Sequence, residues 1–212
     1  TPKQYLDLSG RPVIEHTLAA LFAVPRITGI VVAVADGDAT WPNIAGCFSG
    51  RRLEQVSGGA ERCHSVLNAL EHLSATASGR DWVLVHDAAR PCVQPADIDR
   101  LIDTCMRNTD GGLLGMPVSD TMKRVDTKGN VTATVDRRDL WHALTPQMFR
   151  AGQLLEALRQ GIRAGKTLTD EASAMEAAGY APRMVEGQRD NIKITVAADL
   201  QLAGFYLQRQ HA

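Results

Sequence analysis

The sequence has few aromatic residues, almost no net charge and no long apolar run. Aromatic side chains make up 5% of the 212 residues, and 23 Lys and Arg stand against 24 Asp and Glu. Without a basic excess, the chain has no general attraction for nucleic acid or for anionic lipid. The most apolar stretch, residues 18–35, is interrupted by Pro25 and Arg26, whereas a membrane helix needs about 20 apolar residues. We therefore expect neither nucleic acid nor a membrane as a partner.

Cysteine is scarce, and its spacing fits neither a zinc site nor a disulfide framework. Cys47, Cys63, Cys92 and Cys105 are 16, 29 and 13 residues apart, with no CxxC pair and no paired histidines. Reduced thiols are typical of cytoplasmic proteins, so we expect that location. The chain opens on Thr1 without a signal peptide or an initiator Met, and we expect the natural chain to begin further upstream.

Apolar runs and amphipathic segments alternate along the chain, which predicts an α/β fold with a mainly parallel sheet. Residues 27–35 form a continuous β-branched run, as in parallel strands that are buried on both faces. Further strands are predicted at residues 82–85, 111–118, 183–186 and 191–195. Helices are predicted at residues 12–21, around Val66, Leu70 and Leu73, at residues 95–106, 151–164 and 170–178, and in a last segment with Val196, Leu200 and Leu207 facing inward.

The pattern changes in the middle of the chain. Residues 122–126 and 131–136 alternate polar and apolar side chains around Lys128-Gly129-Asn130, which predicts a β-hairpin. We expect this hairpin, within about residues 118–140, to project as an arm from a single domain that spans residues 1–212.

Two glycines precede the helix that carries Val66. In Ser57-Gly58-Gly59 they would let the backbone approach a flat or anionic ligand closely. The alternative is a plain strand-to-helix turn. Ser65, which follows within the helix, could bond either a ligand or a carbonyl of its own helix.

A carboxylate and a guanidinium follow the run at residues 82–85. In His86-Asp87-Ala88-Ala89-Arg90, Asp87 stands at the carboxyl end of a predicted strand, where ligands bind in open α/β sheets. A carboxylate there suits Mg²⁺ held together with substrate phosphates. The alternative is an Asp87–Arg90 pair that fixes the loop, and placement at the strand end favours the functional interpretation.

Other charged residues are ambiguous. Lys193 in Asp190-Asn191-Ile192-Lys193 lies either at a sheet edge or in a phosphate site, and Arg137 and Arg138 either bind a ligand or are merely solvated. His86 and His142 have no nucleophile in a recognised elbow and are interpreted as structural. P-loop and GxGxxG patterns are absent. Cations and a metal-binding carboxylate without an evident nucleophile fit phosphoryl or nucleotidyl transfer.

Six motifs occur in a fixed order along the chain. They are Thr1-Pro2-Lys3-Gln4-Tyr5, Val85-His86-Asp87-Ala88-Ala89-Arg90-Pro91, Asp120-Thr121-Met122-Lys123-Arg124, Trp141-His142-Ala143-Leu144-Thr145-Pro146-Gln147, Thr169-Asp170-Glu171-Ala172 and Asp190-Asn191-Ile192-Lys193. Together they resemble the 2-C-methyl-D-erythritol 4-phosphate cytidylyltransferase family over essentially the whole chain. The resemblance implies a Rossmann-like three-layer nucleotidyltransferase fold with a protruding β-arm.

The resemblance also implies an activity and partners. Members of this family join CTP to methylerythritol phosphate and release pyrophosphate, in the non-mevalonate route to isoprenoid precursors. The implied cofactor is Mg²⁺. The implied assembly is a homodimer with interlocked arms.

Roles on the nucleotide side follow from the matched positions. Lys3 matches a lysine that steadies the triphosphate and the charge that grows on the α-phosphate. Gly59 and Ser65 match positions that read the cytosine, and Gly58 lies beside them. Ala88 matches a position against the ribose.

Roles on the acceptor side follow in the same way. Asp87 and Arg90 match the residues that line the Mg²⁺ and the sugar phosphate, with Asp87 as the metal ligand. Thr121 and Arg137 match arm residues that reach the partner subunit's site. The remaining contacts to methylerythritol phosphate are matched by Thr145 and Lys193. Arg137 and Lys193 would act with Lys3 in catalysis.

The chain departs from the family pattern in two places. A strand and a glycine-rich phosphate loop precede the Pro-Lys-Gln-Tyr motif in the family, and we expect both to lie upstream of Thr1 in the natural chain. Without the strand, the sheet would expose an apolar inner edge. The second departure is the pair Cys63-His64. The alternative functions are a ribitol 5-phosphate cytidylyltransferase and a non-catalytic nucleotide-binding protein that lacks the phosphate loop.

Overall fold

A computed structural model describes residues 2–210; Thr1, in the first motif, lies outside the described residues. A short 3₁₀ helix, Lys3–Tyr5, comes first. The strands are β1 (Asp7–Leu8), β2 (Arg11–Pro12), β3 (Ile30–Val34), β4 (Leu53–Ser57), β5 (Trp82–Val85), β6 (Gly112–Pro117), β7 (Met122–Val125), β8 (Val131–Val135), β9 (Trp141–Arg150) and β10 (Arg183–Glu186). The α-helices are α1 (Val13–Phe22), α2 (Trp41–Gly46), α3 (Arg62–Leu73), α4 (Pro95–Met106), α5 (Ala151–Arg163), α6 (Glu171–Ala177) and α7 (Ala197–Gln210).

The largest sheet has the strand order β10-β6-β9-β5. Strand β9 runs antiparallel to both of its neighbours, and β10 runs parallel to β6. Strands β5, β6 and β10 therefore share one direction, and β9 alone in this sheet is reversed. The carboxyl ends of β5 and β6 consequently lie at the same edge.

Helices cover both faces of this sheet. Leu113 and Phe149 pack with α3, α5 and α6 on one face. Their sequence neighbours Leu114 and Met148 pack with α4 and the end of α1 on the other, because successive side chains of a strand point to opposite faces. The three-layer α/β architecture expected from the sequence is confirmed.

Strands β3 and β4 form a separate parallel pair. Within residues 2–210, β3 has β4 as its one ladder partner and β5 has β9. No ladder joins the two sheets in this part of the chain. The strand expected upstream of Thr1 stays a prediction.

The hairpin is confirmed by the antiparallel pairing of β7 with β8. The Asp126 carboxylate accepts hydrogen bonds from the backbone N–H groups of Lys128 and Asn130 and thereby holds the turn. Val125 and Val131 are exposed apolar residues of this arm. The use of the arm in a homodimer stays a prediction.

Two expectations about the end of the chain are wrong. Residues 191–195 form no strand, because the buried Ile194 and the half-buried Ile192 pack with α7 without a ladder. The backbone N–H of Ile194 donates to the Ala89 carbonyl, which holds the segment beside the loop after β5. Val196 does not face inward but is 60% exposed, because it precedes α7 and its N–H donates to the Asp199 carboxylate.

Two further features concern the cysteines and the helices. All four cysteines have free thiols, as expected. No helix among residues 2–210 is long and apolar enough to cross a membrane.

Candidate active site

Asp87 is surrounded by cations at the carboxyl end of β5. Its Oδ1 accepts from Arg62 Nε at 3.0 Å, and its Oδ2 lies 2.9 Å from Lys193 Nζ and 3.5 Å from Arg90 Nε. Burial alone would raise the pKa of Asp87, but the charges of Arg62 and Lys193 outweigh it and hold that pKa well below its ordinary value. The structure thus brings together Asp87, Arg90 and Lys193, which lie in two separate motifs of the sequence.

Arg62 and Glu171 extend this cluster, although neither has a role predicted from the sequence. Arg62, at the start of α3, donates two hydrogen bonds to the Glu171 carboxylate, at 2.5 and 2.9 Å. The Glu171 side chain is 1% exposed, so it depends on this pairing. Burial works against the charge of Arg62, but its bonds to Glu171 and Asp87 keep its pKa above the ordinary value. Three cationic side chains face two carboxylates, which leaves an excess of positive charge suited to phosphate.

The Arg90 guanidinium is held in place by the segment around Asn191. Its Nη1 donates to the Asn191 carbonyl at 2.8 Å, and the Asn191 side chain donates to the Thr145 carbonyl. The Nε atom is buried without a hydrogen-bond partner in the described structure. Burial lowers the pKa of Arg90, and the nearest acceptor to Nε is Asp87 Oδ2 at 3.5 Å.

Thr145 and His86 form a partly buried chain of hydrogen bonds that positions Asp87. The Asp87 backbone N–H donates to Thr145 Oγ1 at 3.1 Å, and Oγ1 lies 2.9 Å from His86 Nδ1. His86 Nε2 lies 3.1 Å from the Arg90 carbonyl, which can only accept, so Nε2 carries the proton. Nδ1 is then the acceptor for the Thr145 hydroxyl. Burial lowers the pKa of His86 to about 4, and this neutral ring serves as a structural hydrogen-bonding group.

The low pKa of His86 predicts a stability that falls on acidification. The unfolded chain binds this proton with an ordinary pKa of 6.5 and the folded chain only near 4, so stability is present above pH 6.5 and is lost between these values. Replacing His86 by Gln should flatten the dependence by about 2 kcal/mol between pH 7 and pH 5. Urea denaturation at both values measures it. The control is His142→Gln at an exposed position; equal slopes in wild type and His86→Gln would contradict the assignment.

The turn at Gly58 and Gly59 is held by hydrogen bonds and has little space for side chains. The Gly58 N–H donates to the Val34 carbonyl, and the Gly59 N–H donates to Ser65 Oγ at 2.9 Å. A Cβ on Gly59 would lie 2.3 Å from His64 Cβ and 2.9 Å from the Ser65 nitrogen, so a side chain there would force the start of α3 to shift. A cavity of about 230 Å³ opens beside this turn, at the ends of β3 and β4. It is lined by residues 34–38, Trp41, Pro42 and residues 55–57.

Replacement of Gly59 by Ala should therefore destabilise the fold. The new methyl group meets backbone atoms, which cannot move aside as a flexible side chain would, and the expected loss is about 1–3 kcal/mol of unfolding free energy. Gly46→Ala is the control, since its Cβ would meet nothing within 4 Å. Chemical denaturation compares the two, and equal stabilities would show that the turn tolerates a side chain.

Lys3 lies two residues before Tyr5, which contacts a residue that lines the cavity, and Ala88 packs with the cluster that contains Val34 and Trp41. Tyr5, at the end of the 3₁₀ helix, donates through its hydroxyl to Asp38 Oδ2 at 2.8 Å, and Asp38 lines the cavity. Lys3 is exposed, and its ammonium has no hydrogen-bond or ion-pair partner within residues 2–210. The Ala88 carbonyl accepts from Thr17 on α1 at 2.8 Å.

The arm residues stand apart from the cluster. Thr121 and Arg137 are exposed, and their side chains make no hydrogen bond or ion pair with any residue that the structure describes. The structure therefore does not bring them to Asp87 within one chain. Their reach into a partner subunit's site stays a prediction.

Comparison with known proteins identifies the family. The model of the 2-C-methyl-D-erythritol 4-phosphate cytidylyltransferase family (IspD) matches residues 1–209. The chain belongs to this family. The enzyme of that name from Aeromonas hydrophila is 55% identical over 211 residues, covering 100% of this chain and 84% of that protein. The one from Pseudomonas aeruginosa is 52% identical over 200 residues, covering 94% and 85%.

Solved structures of the family share the fold. A crystal structure of 4-diphosphocytidyl-2C-methyl-D-erythritol synthase superposes with a TM-score of 0.88 at 35% identity, covering 97% of this chain and 95% of that one. The cytidylyltransferase from Francisella tularensis gives 0.85 at 36% identity, covering 97% and 93%. The resemblance found in the sequence and the expected nucleotidyltransferase fold are confirmed, and the ribitol 5-phosphate alternative is not favoured.

The Asp87 carboxylate fits a magnesium ion of a cytidylyltransferase in its chemistry. It is a hard oxygen donor with a lowered pKa, and Mg²⁺ is held by one or two carboxylates together with substrate phosphates and water. Both oxygens already face cations. Lys193 would therefore have to release Oδ2, which a phosphate offering it a new partner would allow.

Proposed function

We propose that this chain transfers the cytidylyl group of CTP to 2-C-methyl-D-erythritol 4-phosphate and releases pyrophosphate. The observation that carries the proposal is the Asp87 cluster, in which Arg62, Arg90 and Lys193 face one carboxylate at the carboxyl end of β5. Family membership over residues 1–209 supplies the two substrates.

The reaction is an in-line attack by a phosphate oxygen of the acceptor on the α-phosphorus of CTP. The new P–O bond forms as the bond to the pyrophosphate oxygen breaks, and no covalent enzyme intermediate is needed. An ionised phosphate needs little help from a general base at neutral pH. This agrees with His86, whose two ring nitrogens are both engaged within the fold.

The cations hold two polyanions together. Lys193 and Arg90 lie beside Asp87 and are proposed to bind the acceptor phosphate, while Lys3 steadies the triphosphate and the charge that grows on the α-phosphate. Arg137 supplies a further cation from the partner subunit's arm. The free ammonium of Lys3 supports its part, since no described residue occupies it.

The remaining site residues bind and orient. Gly58, Gly59 and Ser65 are proposed to read the cytosine, with the turn beside the cavity as support. Ala88 lies against the ribose. The acceptor side comprises Asp87, Arg90, Thr121 and Thr145. The Thr145 hydroxyl already bonds the Asp87 backbone N–H and His86. Thr145 is therefore proposed to act by orienting Asp87.

The cofactor, assembly and location belong to the same proposal. Magnesium would be held by Asp87 with phosphate oxygens and would neutralise their charge. A homodimer would bring Thr121 and Arg137 to the neighbouring site, and the exposed apolar residues of the arm support such a contact. Cytoplasmic location is supported by the free thiols.

A substrate assay tests the function directly. The protein expressed from the complete gene is incubated with Mg²⁺, CTP and methylerythritol phosphate, and pyrophosphate and CDP-methylerythritol are measured by a coupled assay and mass spectrometry. Asp87→Asn should abolish most of the turnover. Faster reaction with ribitol 5-phosphate would overturn the acceptor, and CTP binding without any product would favour the non-catalytic alternative.

A further inference from the structure

Three potential metal-ligating side chains converge at the start of α3, outside the Asp87 cluster. Cys63 Sγ lies 3.8 Å from Glu61 Oε2 and 3.8 Å from His64 Nδ1. All three ligand atoms lie within 4.8 Å of one another. In a tetrahedral zinc site with ordinary bond lengths, the sulfur would lie about 3.5 Å from the nitrogen or oxygen ligand. The two sulfur separations therefore exceed that distance by only a few tenths of an ångström, and rotation of the Glu61 side chain would bring its oxygen, within 4.8 Å of the His64 nitrogen, into the same coordination sphere.

The donor set selects the class of ion. A thiolate, an imidazole and a carboxylate together suit Zn²⁺ and related transition metals, whereas Mg²⁺ and Ca²⁺ prefer oxygen donors throughout. Glu61 is exposed, His64 is half-buried and Cys63 is buried, so an ion would enter from the side of Glu61 and His64. Three protein ligands leave one position for water, as in open zinc sites.

No cation of the protein competes for this position. Glu61 forms no ion pair with a lysine or arginine among residues 2–210. The adjacent Arg62 directs its guanidinium to Asp87 and Glu171 instead. Cys63 has a free thiol and would give its proton to solvent when the metal binds.

We propose that Glu61, Cys63 and His64 bind one transition-metal ion of the Zn²⁺ class, separate from the magnesium of the reaction. The ion would join the loop before α3 to its first turn. Ser65 donates to the Glu61 carbonyl and accepts from Gly59, so the bound metal fixes the glycine turn from its helical side.

Cobalt gives a direct readout that is independent of activity. Titration of the metal-free full-length protein with Co²⁺ should saturate at one equivalent with a sulfur-to-metal charge-transfer band, and Zn²⁺ should displace it. Cys63→Ser should lose the band. Glu61→Gln and His64→Gln should each weaken Co²⁺ binding by about 100-fold, at least as much as loss of an outer-sphere partner does. Cys47→Ser should behave as wild type.

Cys47 is a matched control because it also lies beside a carboxylate. Its Sγ is 3.6 Å from Glu15 Oε1, but no third ligand completes a group there in the described structure. Loss of the band in Cys47→Ser, its persistence in Cys63→Ser, or no saturable binding at all would overturn the proposal. If Cys63→Ser fails to fold, unchanged affinity in both Glu61→Gln and His64→Gln would overturn it equally.

Discussion

Replacing Arg62 by Met should lower the free energy of unfolding by about 2–4 kcal/mol. The substitution leaves Glu171, 1% exposed, and Asp87, 12% exposed, without their shared guanidinium. A buried carboxylate that loses its partner costs about 3–5 kcal/mol, and the range is reduced here because Arg62 itself is 34% exposed. Chemical denaturation at pH 7 measures the loss.

Two further variants separate this effect from the loss of any surface ion pair. Arg159→Met removes an exposed pair with Glu71 at 2.9 Å and should cost at most about 1 kcal/mol. The double variant Arg62→Met/Glu171→Leu should recover part of the lost stability, because the stranded carboxylate is gone. Equal losses of unfolding free energy in Arg62→Met and Arg159→Met would show that burial of the Arg62–Glu171 pair makes no difference to its contribution.

The local sequence pattern predicts a strand or helix correctly where the signals lie within that segment itself. The strand at residues 82–85 and the helix at residues 95–106 are found as predicted, since a short apolar run and a proline at the first helical turn are local signals. Strand β9 was missed because it contains Pro146, which argues against a central strand. Strand β4 was missed because Glu54 and Gln55 interrupt its apolar residues, and helix α2 because its six residues include Pro42 and Gly46.

The sequence predicts several residues of the site but not the contacts that join them. Asp87, Arg90 and Lys193 were each chosen from their own neighbourhood, whereas their common contact depends on how the loop after β5 meets residues 191–195. Arg62 and Glu171 are separated by 109 positions, so no local signal joins them. One clue to Glu171 was available in the sequence. It is an acidic residue directly after the Asp170 N-cap of α6, within one of the six motifs.

The arrangement explains why the turnover should depend on cations rather than on a base. Among the described residues around Asp87, both ring nitrogens of His86 are engaged by Thr145 and the Arg90 carbonyl, and Lys193 is a cation paired with the carboxylate. Charge neutralisation is therefore what this part of the chain can offer to two phosphate compounds.

Lys3→Ala should reduce the rate of cytidylyl transfer by about 100- to 1,000-fold, as does the loss of one preorganised donor to a developing charge. Lys3 is exposed and its ammonium has no partner within residues 2–210, so the unfolding free energy should stay within about 0.5 kcal/mol of wild type. Lys166→Ala, at another exposed lysine without a described side-chain partner, should retain full activity.

The measurement is kcat and kcat/KM for CTP in the protein from the complete gene. An equal fall in both indicates an interaction made only in the transition state, whereas a rise in KM alone would place Lys3 in ground-state binding, and near-normal turnover would remove it from the catalytic group.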